Sequence, residues 1–129
     1  MPTDFVGPHE GQELQLMLSG VKPLAMFVET MPTEFDSFPE ADFDDAVSKG
    51  KLVKHIATET VHTPDEKEIK IRRILYALPS EEWRIQALLL IQNLYSSLGG
   101  WHPDLDRAIG LLLGYERSDV EKFASAHER

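Results

Sequence analysis

The strongest hydrophobic pattern in the chain lies between residues 69 and 98. Its first part, Ile69 to Leu78, alternates as a β-strand does, and Pro79-Ser80 interrupts it. In the second part six apolar side chains recur at helical spacing: Trp83, Ala87, Leu90, Ile91, Leu94 and Leu98. We therefore predict a central helix that turns this face toward the core, with Trp83 and Leu90 at the centre of that core.

Apolar residues of this helix are not confined to one face. Leu88 and Tyr95 widen the face, whereas Ile85 and Leu89 lie largely outside it. A helix that is apolar around so much of its circumference needs cover on more than one side. We therefore expect the rest of the fold to be organised around this helix.

Turn residues and apolar spacing divide the rest of the chain into short elements. They predict helices over 9–19 and 42–49, strands over 24–29, 52–61 and 67–78, and helices beginning at Pro103 and Ser118. Residues 62–66 suit the turn of an antiparallel hairpin, and residues 1–8 are expected to form a loose tail. This order predicts an α+β fold: a small, mostly antiparallel sheet of about three strands packed in two layers against helices, with a helical C-terminal half.

The length and composition of the chain are those of an ordinary globular domain. With 129 residues, 42% of them hydrophobic and 27% charged, the chain suits a single domain over 1–129. The sequence has no cysteine, which excludes disulfides, thiolate metal sites and a cysteine nucleophile, and suits a reducing compartment. No apolar run is long enough to span a membrane, and the N-terminus lacks the features of a signal peptide. We therefore expect a cytoplasmic protein without a membrane partner.

Charge is distributed unevenly along the chain. Residues 1–50 contain ten acidic residues against Lys22 and Lys49, a net of −8 out of a total of −9. Nucleic acid is therefore not an expected partner, because binding to it depends on basic groups that neutralise phosphates. A protein with a basic surface is the partner that this distribution favours.

Within this acidic half, residues 34–45 combine carboxylates with spaced phenylalanines. Phe35, Asp36, Phe38 and Asp42 are the candidate binding residues of this loop. The phenylalanines either fold onto the core of the protein itself or form a docking surface or lid.

Arg73 and Glu10 are the candidates for acid–base or anion chemistry. Arg73 alternates with Ile71 and Leu75 onto the predicted core-facing side of its strand, and a buried arginine needs a partner. Glu10 aligns with the apolar stripe of the first helix, where it either favours the helix N-terminus or is a semi-buried acid. The partner of Arg73 is then a carboxylate, with Glu10 the first choice, or an anionic ligand. A β-bulge would instead turn Arg72 inward.

The remaining motifs carry weak signals. His9, Glu10 and Glu13 form His-Glu-x-x-Glu, which lacks the second histidine of the zinc-binding signature. Trp101 and His102 lie in a glycine- and proline-bounded loop, where they line a pocket or close the end of the core. Nucleophile elbows and phosphate-binding loops are missing from the sequence, and we predict no metal or other cofactor.

Two functional hypotheses follow. The first is a small accessory, regulatory or immunity-type protein that acts by binding another macromolecule, without an identifiable reaction. The alternative is a small enzyme or anionic-ligand-binding protein, whose pocket between sheet and helices would use Glu10 and Arg73 with His9 nearby. A pocket that contains both Glu10 and Arg73 would favour the alternative.

Overall fold

A computed structural model describes residues 11–31 and 38–127, apart from the side chains of residues 123 and 125–127. The elements are α1 (Glu13–Leu18), β1 (Leu24–Met31), α2 (Glu40–Ser48), β2 (Val53–His62), β3 (Glu68–Ala77), a 3₁₀ turn (Pro79–Glu81), α3 (Trp83–Leu98), α4 (Pro103–Leu112) and α5 (Arg117–His127). This order and the α+β class are as predicted. Among the described residues, no helix has the length and apolar character needed to cross a membrane.

β3 is the central strand of the sheet. β1 and β2 flank it, and both pair with it in antiparallel register. At the β2–β3 turn the amide of Thr63 donates to the carbonyl of Lys67 at 2.9 Å, and Glu66 has a positive φ of 65°. The predicted hairpin is therefore confirmed. Residues 74–77 of β3 are all buried, and since successive side chains point to opposite faces, both faces of the sheet are covered there.

Helices α1 and α2 cover the face that contains Ile74 and Tyr76. The core on this side is aromatic, because Phe27 stacks on Phe38 with ring centroids 4.1 Å apart and Phe43 packs on Tyr76 at 4.6 Å. The helices and the β1–β2 region complete the cluster with Met17, Ala25, Ala46 and Leu52. The predicted alternative in which loop phenylalanines fold onto the core is thus realised for Phe38.

Helices α3 and α4 cover the opposite face of the sheet. Leu24, Leu75 and Ala77 pack there against Ile85 and Leu88 of α3, and the core is aliphatic. The side chains that complete the cluster are half-buried: Met26, Val53, Leu89, Ile109, Leu112 and Leu113. α5 packs closely on α4, since a β-carbon at Gly110 would lie 2.8 Å from a methyl group of Val120.

The expectation of two layers is wrong, because helices lie on both sides of the sheet. Strand alternation places Ile74 and Tyr76 on the sheet face opposite Arg73, and a two-layer fold would leave that face uncovered. Both residues are fully buried beneath α1 and α2. The sheet is therefore the middle of three layers.

The assignment of Trp83 and Leu90 to the centre of the core is also wrong. Their exposed fractions are 57% and 70%, whereas Ile85 and Leu88 are 3% and 0% exposed. Helical spacing identifies which side chains share a face but does not say which face meets the sheet. The short 3₁₀ connection leads the chain from β3 directly into α3 and places Ile85 against Leu75 and Ala77.

Candidate protein-interaction surface

The most unusual surface of the described molecule is the outer side of α3. Five apolar side chains follow one another along it, and we call this set the α3 stripe: Trp83, Ala87, Leu90, Leu94 and Leu98. Leu94 and Leu98 are 46% and 56% exposed, which extends the exposure of Trp83 and Leu90 over the whole helix. α3 is thus apolar on two sides, and only one of them lies in the core.

The α3 stripe is uncharged. Arg84 is the one charged residue of α3, and its Nε donates to a carboxylate oxygen of Glu81 at 2.7 Å. A second guanidinium nitrogen donates to the carbonyl oxygen of Leu112 at 3.1 Å, at the end of α4. The guanidinium also lies 4.8 Å from the centroid of the Trp83 ring. This arrangement neutralises the charge of Arg84 and helps to fix Trp83 in its exposed position.

The loop after α3 holds Trp101 and His102 in a network of hydrogen bonds. The indole of Trp101 donates to Asp106 at 2.6 Å, and the amide of His102 donates to the hydroxyl of Tyr95 at 3.1 Å. The imidazole Nε2 of His102 lies 2.7 Å from the carbonyl oxygen of Gly99. Trp101 remains 37% exposed in this loop.

A network of ion pairs lies on the opposite layer, between α2 and the sheet. Glu40 accepts hydrogen bonds from Lys54, at 3.0 Å, and from Arg72, which also donates to Glu29 at 2.9 Å. Lys54 and Tyr76 both donate to Asp44, at 2.7 and 3.0 Å. The network therefore joins α2 to all three strands.

The pKa values of this network follow from its hydrogen bonds. Desolvation acts to raise the pKa of Glu40 and of Asp44. Hydrogen bonds from Lys54 and Arg72 to Glu40, and from Lys54 and Tyr76 to Asp44, nevertheless lower both pKa values below their ordinary range. Burial and the hydrogen bond to Asp44 raise the pKa of Tyr76. These groups are therefore ionised carboxylates and a neutral phenol at neutral pH, as in a structural network.

Arg73 shares a sheet face with Leu75 and Ala77, as strand alternation predicts, and α3 packs on this face. Its guanidinium donates to Glu59, on the neighbouring strand β2, at 2.7 Å. Its Nε is buried and has no hydrogen-bond partner in the described part of the chain. Glu10, the partner that we expected, lies outside the described residues, as does His9. α1 packs on the other face of the sheet, in the cluster of Ile74 and Tyr76.

The remaining candidate residues belong to the acidic loop. Phe38 is buried in the aromatic cluster, Asp42 is exposed on α2, and Phe35 and Asp36 lie outside the described residues. A shallow cleft of about 450 Å³ opens between α1 and α2, lined by residues that include Leu14, Leu18 and Phe43. Arg73 does not line this cleft.

Sequence reasoning placed the five members of the α3 stripe on one helix face together with Ile91, but it directed that face into the protein, and it missed the Glu29–Arg72 pair. Glu29 and Arg72 face each other directly across β1 and β3, which only the strand register reveals. No bulge is needed to turn Arg72 inward, because both sheet faces are covered. No protein-family model, curated protein sequence or solved structure matches the chain significantly.

Proposed function

We propose that this chain is a cytoplasmic binding protein of the accessory, regulatory or immunity type, which contacts another protein molecule through the α3 stripe. The observation that supports this proposal is the exposure of Trp83, Leu90, Leu94 and Leu98 along one side of a helix whose other side is buried. Contiguous apolar patches rimmed by polar residues are typical of interaction sites. Tryptophan is also enriched among the residues that dominate binding energy.

The kind of partner is limited by the charge of the molecule. A net charge of −9 and a stripe without basic groups do not favour phosphate-rich partners, so we propose a protein rather than a nucleic acid. The lack of cysteine supports a reducing compartment such as the cytoplasm.

The structure gives less support than the sequence did to the hypothesis that a basic partner binds the acidic residues of α2. Glu40 and Asp44 already bind Lys54 and Arg72, and Asp45 pairs with Lys49 at 2.8 Å. Asp42 is an exposed carboxylate of α2, and we keep it as an alternative contact for a basic partner.

The catalytic alternative has little support. Arg73 already donates to Glu59, and the cleft between α1 and α2 does not include it. The perturbed carboxylates Glu40 and Asp44 are bound by cations of the same network, which leaves them without the raised pKa of a general acid.

The proposal is tested by placing a photo-cross-linking amino acid at one surface position at a time in cells. A cross-linker at Leu90 should give a discrete protein adduct, whereas one at Asp42, on the opposite layer, should not. Mass spectrometry would identify the adduct. An adduct from position 42 alone would assign the binding role to the acidic layer. If neither position gave an adduct, the binding proposal would be refuted.

A further inference from the structure

We infer that the protein bound by the α3 stripe is a second copy of this chain, joined by antiparallel pairing of the two α3 helices about a twofold axis. The inference rests on the proposed function, because it takes the stripe to be a contact surface. Four features of the described residues support it: the spacing of the stripe, its symmetry, the position of the charges and the area of the exposed side chains.

The spacing of the stripe is that of a helix–helix seam. Its members follow one another at intervals of four, three, four and four residues. Intervals of three and four place side chains along a narrow line on a helix, which is the arrangement that meets another helix in coiled-coil-like packing. A flat or irregular partner surface would not require such a regular line. The pattern therefore indicates that the partner presents a helix.

The order of side chains along the stripe makes it complementary to itself. In an antiparallel pair centred beside Leu90, Trp83 lies opposite Leu98 of the second copy, and Leu90 lies close to its own counterpart. The small side chain of Ala87 then lies opposite Leu94 of the second copy, so a small residue faces a large one. A twofold interface uses the same patch on both subunits and needs this kind of self-complementarity.

The charges of the molecule permit this association. Two copies with a net charge of −9 repel each other wherever their acidic surfaces meet. The acidic helix α2 packs on the sheet face of Ile74 and Tyr76, whereas α3 packs on the face of Leu75 and Ala77. Pairing through α3 therefore separates the two α2 layers by both sheets. Because α3 contains no acidic residue, pairing along its neutral stripe brings no carboxylate of one α3 against the other.

The exposed area suits a dimer of moderate affinity. At about 200 Å² for a fully exposed large side chain, the four exposed fractions leave roughly 450 Å² of apolar surface per copy. Stable interfaces bury about 800 Å² per partner. The exposed polar residues beside the stripe, Gln86, Asn93 and Ser97, would supply part of the remainder as a rim. We therefore expect a dissociation constant on the order of 1–100 µM.

The decisive measurement is the mass of the purified chain in solution by sedimentation equilibrium, over about 1 to 500 µM. We expect a reversible monomer–dimer equilibrium in the wild type. Leu90→Glu should weaken it by at least about 100-fold, because two carboxylates would meet at the axis. Ser96→Glu adds the same charge at an exposed position of α3 outside the stripe, and it should dimerise within about threefold of the wild type. Unfolding curves of both variants at low concentration check that the fold is intact.

Two further experiments test how the two helices are arranged. Leu90→Lys should also be monomeric, yet an equimolar mixture of Leu90→Lys and Leu90→Glu should form a heterodimer, because position 90 meets its own counterpart. Since the chain contains no cysteine, Ala87→Cys and Leu94→Cys each provide a single thiol. In the antiparallel pair these two positions lie opposite each other, so an equimolar mixture of the variants should form the mixed disulfide on mild oxidation. A parallel pair would give the symmetric disulfides instead. Ser48→Cys, at an exposed position of α2 in the opposite layer, is the control and should remain reduced over the same period.

These outcomes separate the inference from the proposed function. A wild type that stays monomeric at every concentration overturns the dimer, and so does a dimer that Leu90→Glu leaves unchanged. If the wild type is monomeric while a cross-linker at position 90 still captures a different protein, the dimer fails and the proposed function stands. A mixture of the Lys and Glu variants that stays monomeric overturns the placement of Leu90 beside the twofold axis, and symmetric disulfides in place of the mixed 87–94 disulfide overturn the antiparallel arrangement.

Discussion

The α1/α2 layer and the α3/α4 layer cover opposite faces of the same three strands, but their outer surfaces differ. The outer surface is charged on α2 and apolar on α3. Beneath α2 the core consists of stacked aromatic rings, and Glu40 and Asp44 tie the helix to Lys54 and Arg72 on the sheet. Beneath α3 the core is aliphatic, and the outer side of the helix is as apolar as the inner side.

The two layers differ in the free energy that covering them with a partner would cost. Carboxylates on α2 remain hydrated or paired, so burying them against a partner would cost desolvation energy. The α3 stripe has no charge to desolvate, and covering it removes apolar surface from water. The α3 side is therefore the one on which the packing of helices can continue into another molecule.

The largest predicted effect concerns the aromatic core beneath α2. Phe43 is 1% exposed and contacts Phe27, Phe38 and Tyr76. Phe43→Ala should lower the free energy of unfolding by about 3–5 kcal/mol through lost packing and a cavity. Urea denaturation measures the change. A loss below about 1 kcal/mol would show that this layer is not a core.

The second prediction compares the two sides of α3. Leu88→Ala should destabilise the protein by about 2–5 kcal/mol, since Leu88 is fully buried. Leu90→Ala, the matched control two residues away, should change stability by no more than about 0.5 kcal/mol when measured at a concentration that keeps the chain monomeric. Equal effects at the two positions would contradict the two-sided description of α3.

The third prediction concerns Lys22, a buried cation at the end of α4. Its ammonium group donates to the carbonyl of Leu113, and burial lowers its pKa to about 8, with a smaller opposing effect from Glu13. Between pH 8 and 10.5 the unfolded chain binds the proton that the folded chain has lost, so stability rises with pH. We expect a gain of up to about 3 kcal/mol relative to a Lys22→Met variant.

Urea titrations at several pH values measure this difference between the wild type and the variant. Lys49→Met is the control, because Lys49 lies exposed beside Asp45 and its pKa is raised by that carboxylate. A wild-type curve parallel to that of Lys22→Met across this pH range would refute the assignment.

The fourth prediction concerns the ion-pair network at acidic pH. Because the pKa values of Glu40 and Asp44 are lowered in the folded state, the network contributes stability above their unfolded values, and this contribution is lost as pH falls through the folded values. The wild type loses part of its free energy of unfolding below about pH 4, and in Lys54→Met this loss should be smaller by roughly 1 kcal/mol. The effect is small because Asp44 is partly exposed. Thermal unfolding between pH 2 and 7, which spans roughly the carboxylate range, measures it. An unchanged acid slope would count against the network.

The smallest effect is predicted for the Arg73–Glu59 pair. Glu59 is 46% exposed, so a double-mutant cycle with Arg73→Met and Glu59→Gln should give a coupling energy of only about 0.2–1 kcal/mol. A coupling energy above about 2 kcal/mol would contradict the exposure of Glu59, because only a buried ion pair couples so strongly.

The sequence by itself determined the local features of this protein. Alternation in β3 and turn residues at 62–66 determine the hairpin, and glycines 99 and 100, both at positive φ, end α3 as expected. That the side chains of the α3 stripe share one helix face also followed from the sequence, because side chains three and four residues apart share a helix face in any tertiary setting.

Only the tertiary structure decided which side of α3 lies inside and which charges meet. Arg72 contacts Glu29 and Glu40, which are 43 and 32 residues away in sequence, so these pairs depend on strand register and on the docking of α2. The burial of Ile74 and Tyr76 likewise required a third layer that periodicity does not reveal. Spacing defines faces, whereas the direction of a face depends on contacts between elements that are distant along the chain.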